Sequence, residues 1–144
     1  MNSRILILAD DFTGALDTGV QFAKCGAATK VTTDLEYDFA GMDGQVLVID
    51  TESRHLSPGE AASVVSGVVT RARRCGIRFF YKKTDSAMRG NVGAELEAVL
   101  RASGGTMVHF LPAFPSMERV VREGTLYVNG VPVAERGFGK DPFE

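Results

Sequence analysis

The sequence predicts an α/β fold in three layers: a doubly wound, mainly parallel sheet with helices on both faces, plus a C-terminal β-hairpin. Three observations predict it. Short, β-branched apolar runs alternate with helical patterns along most of the chain. The helical patterns carry their own start and stop residues. Near the C-terminal end the alternation gives way to Leu126-Tyr127-Val128, Asn129-Gly130 and Val131-Pro132-Val133, a hairpin signal with a type I′ turn.

The first strand is ILILA, residues 5–9, an all-apolar run of the kind that is covered on both faces. Further strands are expected at 31–33, 46–49, 78–81 and 107–111. Leu16, Val20 and Ala23, with Gly19 beside them, form a helical stripe that stops at Gly26. Ser57-Pro58-Gly59-Glu60 reads as a capping box with proline at the first helical position, opening a helix with Ala61, Val64, Val65, Val68, Val69 and Ala72 on its apolar face. Arg73, Arg74 and Gly76 close it. Asn91 is expected to cap a third helix striped by Val92, Leu96, Val99 and Leu100 and ended by Ser103-Gly104-Gly105. Pro132 lacks a ladder donor, so the second hairpin arm belongs at a sheet edge.

At 144 residues the chain is the size of one domain and buries enough surface to need no disulfide or metal staple. Its 44% hydrophobic and 24% charged content exclude disorder. A net charge of -2 and a pI of about 5.7 exclude a dedicated nucleic-acid binder. No apolar run approaches the roughly 18 residues of a membrane span, and no signal peptide is visible, so a cytoplasmic protein without membrane partners is expected. Cys25 and Cys75, far apart and without a CxxC pair, read as small buried hydrophobes in a reducing compartment. The tail from Gly137 to Glu144 reads as a chain cut short, so residues 1–144 are expected to be an incomplete part of something longer.

In open α/β sheets ligands bind at the carboxyl ends of the strands. The segments that follow the strands therefore carry the candidate chemistry. They are Asp10-Asp11-Phe12-Thr13-Gly14, Asp50-Thr51-Glu52-Ser53-Arg54-His55, Lys82-Lys83-Thr84-Asp85-Ser86 with Arg89-Gly90-Asn91, and Pro112-Ala113-Phe114-Pro115. Ionisable residues fill three of the four, and all should converge on one rim. Blander readings stand beside this. The Asp10–Asp11 pair can simply cap a helix, and Asp50, Asp85 and Asn91 can be turn formers. Lys82 and Lys83 point to opposite faces, so at most one reaches the rim and the other is solvated. Arg71, Arg73, Arg74 and Arg78 read as a solvated helix face, and His109 as a satisfied core histidine. The phosphate loop, dinucleotide fingerprint, nucleophile elbow and HExxH motifs are all missing.

The segments 9–26 (ADDFTGALDTGVQFAKCG), 50–56 (DTESRHL), 81–100 (YKKTDSAMRGNVGAELEAVL) and PAFP followed by GTLYVNGVPVAERGFGKDP resemble the N-terminal part of the four-carbon acid sugar kinases. That family includes D-threonate, D-erythronate and 3-oxo-tetronate kinases. The resemblance runs along essentially the whole chain, and the combination of DDFTGA with KTDSxxRGN is specific. It implies that residues 1–144 are most of an N-terminal sugar-acid-binding domain, with the C-terminal nucleotide-binding domain absent. Two departures fall in the 112–136 region: Glu118 stands where the family usually has glycine before Arg119, and Arg136 follows Glu135 where it tends to have threonine.

The implied reaction is transfer of the ATP γ-phosphoryl group to a terminal hydroxyl of a four-carbon sugar acid. Asp10 and Asp11 are the catalytic candidates, for orienting the hydroxyl and accepting its proton. Substrate contacts fall to Arg54, to Lys83 facing the phosphoryl charge, to Asp85 and Ser86 on hydroxyls, and to Arg89, whose fork suits a carboxylate. ATP and Mg2+ belong to the full-length enzyme, the metal arriving with the nucleotide and none bound permanently by this chain. The chain alone is expected to be inactive as a kinase, and apolar surface meant for the missing domain would favour homo-oligomers. Two alternatives stay open. One is a phosphorylation-receiver-like signalling domain using Asp10, Asp11 and Asp50, although Leu111 stands where a receiver carries lysine. The other is a non-catalytic sugar-acid-binding remnant.

Overall fold

The computed structural model describes residues 4–135, and in it the strand–helix alternation builds a four-stranded parallel sheet in the order β2-β3-β1-β4. Strand β1 (Ile5–Ala9) is central. It pairs with β3 (Val46–Asp50) on one side and β4 (Phe79–Lys83) on the other, and β2 (Thr29–Thr32) lies outside β3. Leu6, Ile7, Leu8 and Ala9 are fully buried, as an unbroken apolar strand requires.

Alternation along the strands feeds two cores. Leu6, Leu8, Leu47 and Ile49 pack with Val65, Val68 and Val69 of α2 (Pro58–Arg74) and with Ala98 and Val99 of α3 (Val92–Ser103). Ile7, Ala9, Val46 and Val48 pack on the other face with Ala15 and Phe22 of α1 (Phe12–Lys24). Each fully buried Leu or Ile contributes about 1.5–3 kcal/mol, and these contacts hold the three layers together. The Ser57–Glu60 capping box forms as expected, with Ser57 Oγ accepting from the Glu60 amide and the Glu60 carboxylate accepting from the Ser57 amide.

Several expectations are corrected. The stripe Leu16, Val20, Ala23 faces outward, with Leu16 46% and Val20 43% exposed. Helix α1 packs instead through Gly14, Ala15, Thr18 and Gly19. A Cβ at Gly19 would sit 2.9 Å from Val31 Cγ2. Small residues therefore face the sheet along the middle of α1, with Phe22 packing near its C-terminal end while Leu16 and Val20 turn away. Residues 107–111 form no strand. They run exposed across a groove from β4, with Met107 70% and Leu111 82% exposed, and His109 is exposed with them instead of lying in a core. An apolar run becomes a buried strand only where layers cover both faces, and among the described residues none covers this one.

Cys25 and Cys75 cap the C-terminal ends of α1 and α2 and are exposed, because helix ends project beyond the sheet. Asn91 makes no side-chain cap on α3, since its amide is turned toward the loop after β3. Lys82 and Lys83 do point to opposite faces, but the Lys82 side chain is buried against Glu95 and not solvated. In the arginine run, Arg73, Arg74 and Arg78 are exposed, while Arg71 reaches the Leu35 carbonyl and Glu36.

Beyond the sheet, β5 (Arg119–Arg122), β6 (Thr125–Val128) and β7 (Val131–Pro132) form a small antiparallel sheet in that order. Asn129 (φ 50°) and Gly130 (φ 75°) make the expected type I′ turn, and Pro132 lies on an edge strand. Strand β5 is an addition that the sequence reading did not anticipate. Arg136 and the tail from Gly137 lie outside the described residues. No helix among the described residues is long and apolar enough to cross a membrane.

Candidate functional site

After β1 the chain turns into α1 on one face of the sheet, and after β3 it turns into α2 on the other. A crevice opens between such diverging loops. Backbone hydrogen bonds continue the pairing past the strand ends, from the Thr51 amide to the Ala9 carbonyl (2.8 Å) and from the Arg54 amide to the Asp10 carbonyl (3.2 Å).

Asp10, buried at the end of β1, and Asp11, at the N-cap of α1, both meet Arg54. The guanidinium donates from Nε to Asp10 Oδ2 at 2.8 Å and from Nη1 to Asp11 Oδ2 at 2.7 Å. Asp11 Oδ1 accepts from the Gly14 amide at 2.9 Å. The capping role and the site role of Asp11 therefore coexist. Asp10 Oδ1 is buried and has no hydrogen-bond partner among the described residues. Burial alone would lower the affinity of Arg54 for its proton, but the Asp10 hydrogen bond and the charges of Asp10, Asp11 and Asp85 outweigh it and hold the guanidinium firmly charged.

Asp85, just past β4, is almost wholly buried and takes the Arg89 fork at 2.8 Å (Nε) and 3.1 Å (Nη2), with the Ala87 and Arg89 amides also donating. Burial works to raise its carboxyl, but the Arg89 bonds and the Arg54 charge hold it below the ordinary carboxylate range. The Arg89 fork expected to meet a ligand carboxylate is thus oriented by Asp85. Gly90 (φ 80°) follows, and a Cβ there would come 3.1–3.4 Å from Arg54 atoms. Only glycine lets the two loops approach this closely without strain.

Lys83 lies at the end of β4, its Nζ donating to the Thr84 carbonyl at 2.9 Å and sitting beside Gly14 in the first turn of α1. Ser86 accepts from Arg119 of β5. Asp50 ends β3 almost fully buried, with Oδ1 on the Glu52 amide (3.1 Å) and Oδ2 without a hydrogen-bond partner among the described residues. Burial pushes its carboxyl up to about 6 against that amide bond, and the neighbouring Glu52 and Asp11 charges add to the rise.

All seven residues singled out from sequence thus lie on the segments that leave β1, β3 and β4. Arg54 gathers Asp10 and Asp11 directly and Asp85 through its field. Ser86 instead joins the group on the side of the small antiparallel sheet. A groove of about 620 Å3 flanks the cluster between β4, α3 and residues 107–114, with Lys83, Thr84 and Ser86 at its polar end. A hollow of about 310 Å3 is lined by Arg54, His55, Met88 and Asn91 among others. The larger groove is walled mainly by apolar side chains and excludes the carboxylates, so the ionic cluster is the candidate site.

Sequence reasoning missed two contributors, Arg119 and Glu95, and gave a third, Asn91, only a capping or turn role. Arg119 was visible only as part of a motif. Asn91 donates from Nδ2 to the Ser53 (3.1 Å) and Leu56 (2.8 Å) carbonyls, fastening the Arg54 loop. Glu95 sits in mid-helix, where a charge ordinarily signals solvent. Among the described residues, no cluster of three or more His, Cys, Asp or Glu side chains is arranged to hold a metal ion.

The profile of a sugar-binding N-terminal domain family matches residues 5–144. The chain is 41% identical over 140 residues to a D-threonate kinase of Salmonella typhimurium, covering 96% of this chain and 33% of that protein. It is 42% identical over 141 residues to a D-threonate kinase of Bordetella bronchiseptica, covering 94% and 35%. Relatives named D-erythronate kinase and 3-oxo-tetronate kinase also match. The chain thus spans about a third of the length of these curated relatives. A crystal structure of a domain of unknown function from Bordetella bronchiseptica, a domain-swapped dimer with bound citrate, superposes with a TM-score of 0.89 at 41% identity, over 99% of this chain and 38% of that one.

Proposed function

The chain belongs to the family of sugar-binding N-terminal domains, and on that premise we propose that its ionic rim binds a four-carbon sugar acid as the substrate-binding part of an ATP-dependent kinase. The observation that carries this reading is the alternation of cations and carboxylates at the strand ends, Arg89–Asp85 beside Arg54–Asp10/Asp11. A sugar acid presents one carboxylate and several hydroxyls, and this set offers a partner for each. Guanidinium groups suit the carboxylate. Asp and Ser oxygens suit the hydroxyls. The kinase names of the relatives and the citrate in the Bordetella bronchiseptica neighbour, itself a hydroxy-carboxylate, agree with it. Family membership replaces the receiver-like alternative.

In the proposed reaction a terminal hydroxyl oxygen attacks the γ-phosphorus of ATP. The new O–P bond forms as the bond to the β–γ bridging oxygen breaks, and the hydroxyl proton passes to a carboxylate. Asp10 is the better acceptor of the pair, because its Oδ1 has no partner among the described residues whereas both oxygens of Asp11 are engaged. Lys83 offsets phosphoryl charge, Asp85 and Ser86 hold hydroxyls, and Arg89 with Arg54 holds the carboxylate end. ATP brings Mg2+ with it, and both are assigned to the part of the full-length relatives that this chain does not span. We assign the rim to the cytoplasm, the compartment that would supply its ATP.

Thermal unfolding of the purified chain with D-threonate, D-erythronate and 3-oxo-tetronate tests the reading. At about 100 times its dissociation constant, a ligand adds roughly 2.7 kcal/mol and raises the midpoint by a few degrees. One acid should do so, and ATP added to the chain alone should give no phosphorylated product. A flat response to all three acids overturns the substrate class. Product from the isolated chain overturns the division of labour.

A further inference from the structure

Beneath the rim lies a second polar cluster, which the proposed reaction does not use. On the α3 side of the sheet, Lys82 Nζ is 2.8 Å from Glu95 Oε2, and the two side chains are only 1% and 2% exposed. Lys82 Nζ also donates to the Lys83 carbonyl at 2.8 Å. Glu95 Oε1 accepts the Ser53 hydroxyl. The Ser53 and Thr51 hydroxyls lie 2.7 Å apart, and the Thr51 hydroxyl donates to the Ala9 carbonyl at 2.7 Å. Ser53 and Thr51 are themselves buried.

The positions that this cluster touches are the informative part. Ala9 immediately precedes Asp10, Ser53 immediately precedes Arg54, and Lys82 immediately precedes Lys83. Three strand ends that supply the rim are therefore tied together from below by one run of polar contacts, centred on a glutamate that α3 delivers. Stability alone does not account for such a pair. Withdrawing both charges from water offsets most of their attraction, and apolar replacements of similar volume are often neutral or stabilising. A fixed geometry is what the pair can supply and an apolar contact cannot, because hydrogen bonds specify direction.

We propose that Lys82 and Glu95 are positioning residues, which hold the ends of β1, β3 and β4 in the register that lets Arg54 span Asp10 and Asp11. They touch no ligand and act through Ser53, Thr51 and the backbone. The ligand-binding readout of this inference rests on the sugar-acid reading of the rim. The geometric readout does not.

The test uses the double variant Lys82→Met/Glu95→Leu, which fills the same space without charge, and Ser53→Ala, which keeps the ion pair but cuts its link to the loop. The double variant is expected to unfold within a few degrees of the parent chain, and Ser53→Ala, which leaves Glu95 Oε1 short of a donor, at a lower temperature while remaining folded. In the parent, the Arg54 Nε–H group is shielded by Asp10 and should give a sharp, slowly exchanging NMR cross-peak. In both variants that peak should broaden or vanish, and the affinity for D-threonate should fall about tenfold or more, as misplacement of a binding group does. If the double variant fails to fold, Ser53→Ala decides. An unchanged Arg54 peak in the variants that fold overturns the proposal. If the peak responds as expected while the parent chain binds no acid, the positioning role stands and the sugar-acid reading fails.

Discussion

Arg54 and Asp10 share a 2.8 Å hydrogen bond between Nε and Oδ2, with their side chains only 11% and 3% exposed, and it ties the loop after β3 to the end of β1. The same guanidinium reaches Asp11 at 2.7 Å, so one side chain sets the geometry of both candidate catalytic carboxylates.

Replacing Arg54 with alanine strands a buried carboxylate. Breaking one partner of such a pair costs about 3–5 kcal/mol, and that loss is expected for Arg54→Ala in the urea unfolding midpoint. Arg54→Lys keeps the charge but cannot serve two carboxylates from one planar fork, so it should recover only part of the loss. Equal stability of the parent and the alanine variant would mean that solvent already screens the contact.

Asp50 gives the chain a distinctive pH dependence. Its folded carboxyl is pushed up to about 6 by burial, from an ordinary 3.8. The folded state therefore holds this proton more tightly than the unfolded state. The stability that Asp50 contributes is complete below its unfolded value and drains away as pH rises from about 4 to about 6. Asp85 works the other way, since its lowered carboxyl stabilises above the ordinary range and loses that contribution on acidification. Asp50→Asn should remove the decline, so the variant exceeds the parent by about 3 kcal/mol at pH 7. The gap should close toward pH 4. Denaturation curves across that range check it, and parallel profiles would contradict the assignment.

Gly14 is held by space. A Cβ there would fall 2.6 Å from Asp11 Oδ1 and 3.3 Å from Lys83 Nζ. Gly14→Ala should displace the cap and cost about 1 kcal/mol or more. Gly67 offers the contrast, because within α2 a Cβ would meet only Arg71 Nη1, at 3.7 Å. Gly67→Ala should stabilise by roughly 0.5–1 kcal/mol through helix propensity. The opposite signs of the two thermal shifts are the prediction.

The central sheet was legible because an all-apolar strand has few other homes, and the rim followed from it, since Asp10, Asp11, Arg54, Lys83, Asp85, Ser86 and Arg89 all come after apolar runs. Side-chain size misled the reading of α1. Leu16 and Val20 have the right spacing, but the sheet lies too close to Gly19 for anything larger than a small residue to face it. Residues 107–111 carry the composition of a strand, yet composition does not say whether a layer will cover them. Glu95 was illegible for a third reason. A charge among Val92, Ala98 and Val99 reads as a flaw in the stripe until Lys82, brought alongside through β4, is seen to meet it. Glu118 takes a left-handed φ of 53°, which fits the glycine usual at that place in the family it resembles.

The claim on which the rest depends is that the rim receives the carboxylate of a small sugar acid. Calorimetric titration of D-threonate, D-erythronate and 3-oxo-tetronate into the parent chain and into Arg89→Ala tests it most directly. Saturable single-site binding of one acid by the parent, lost in a folded Arg89→Ala variant, is the predicted result. Binding that survives unchanged in that variant, or no heat from any of the three acids, would contradict it.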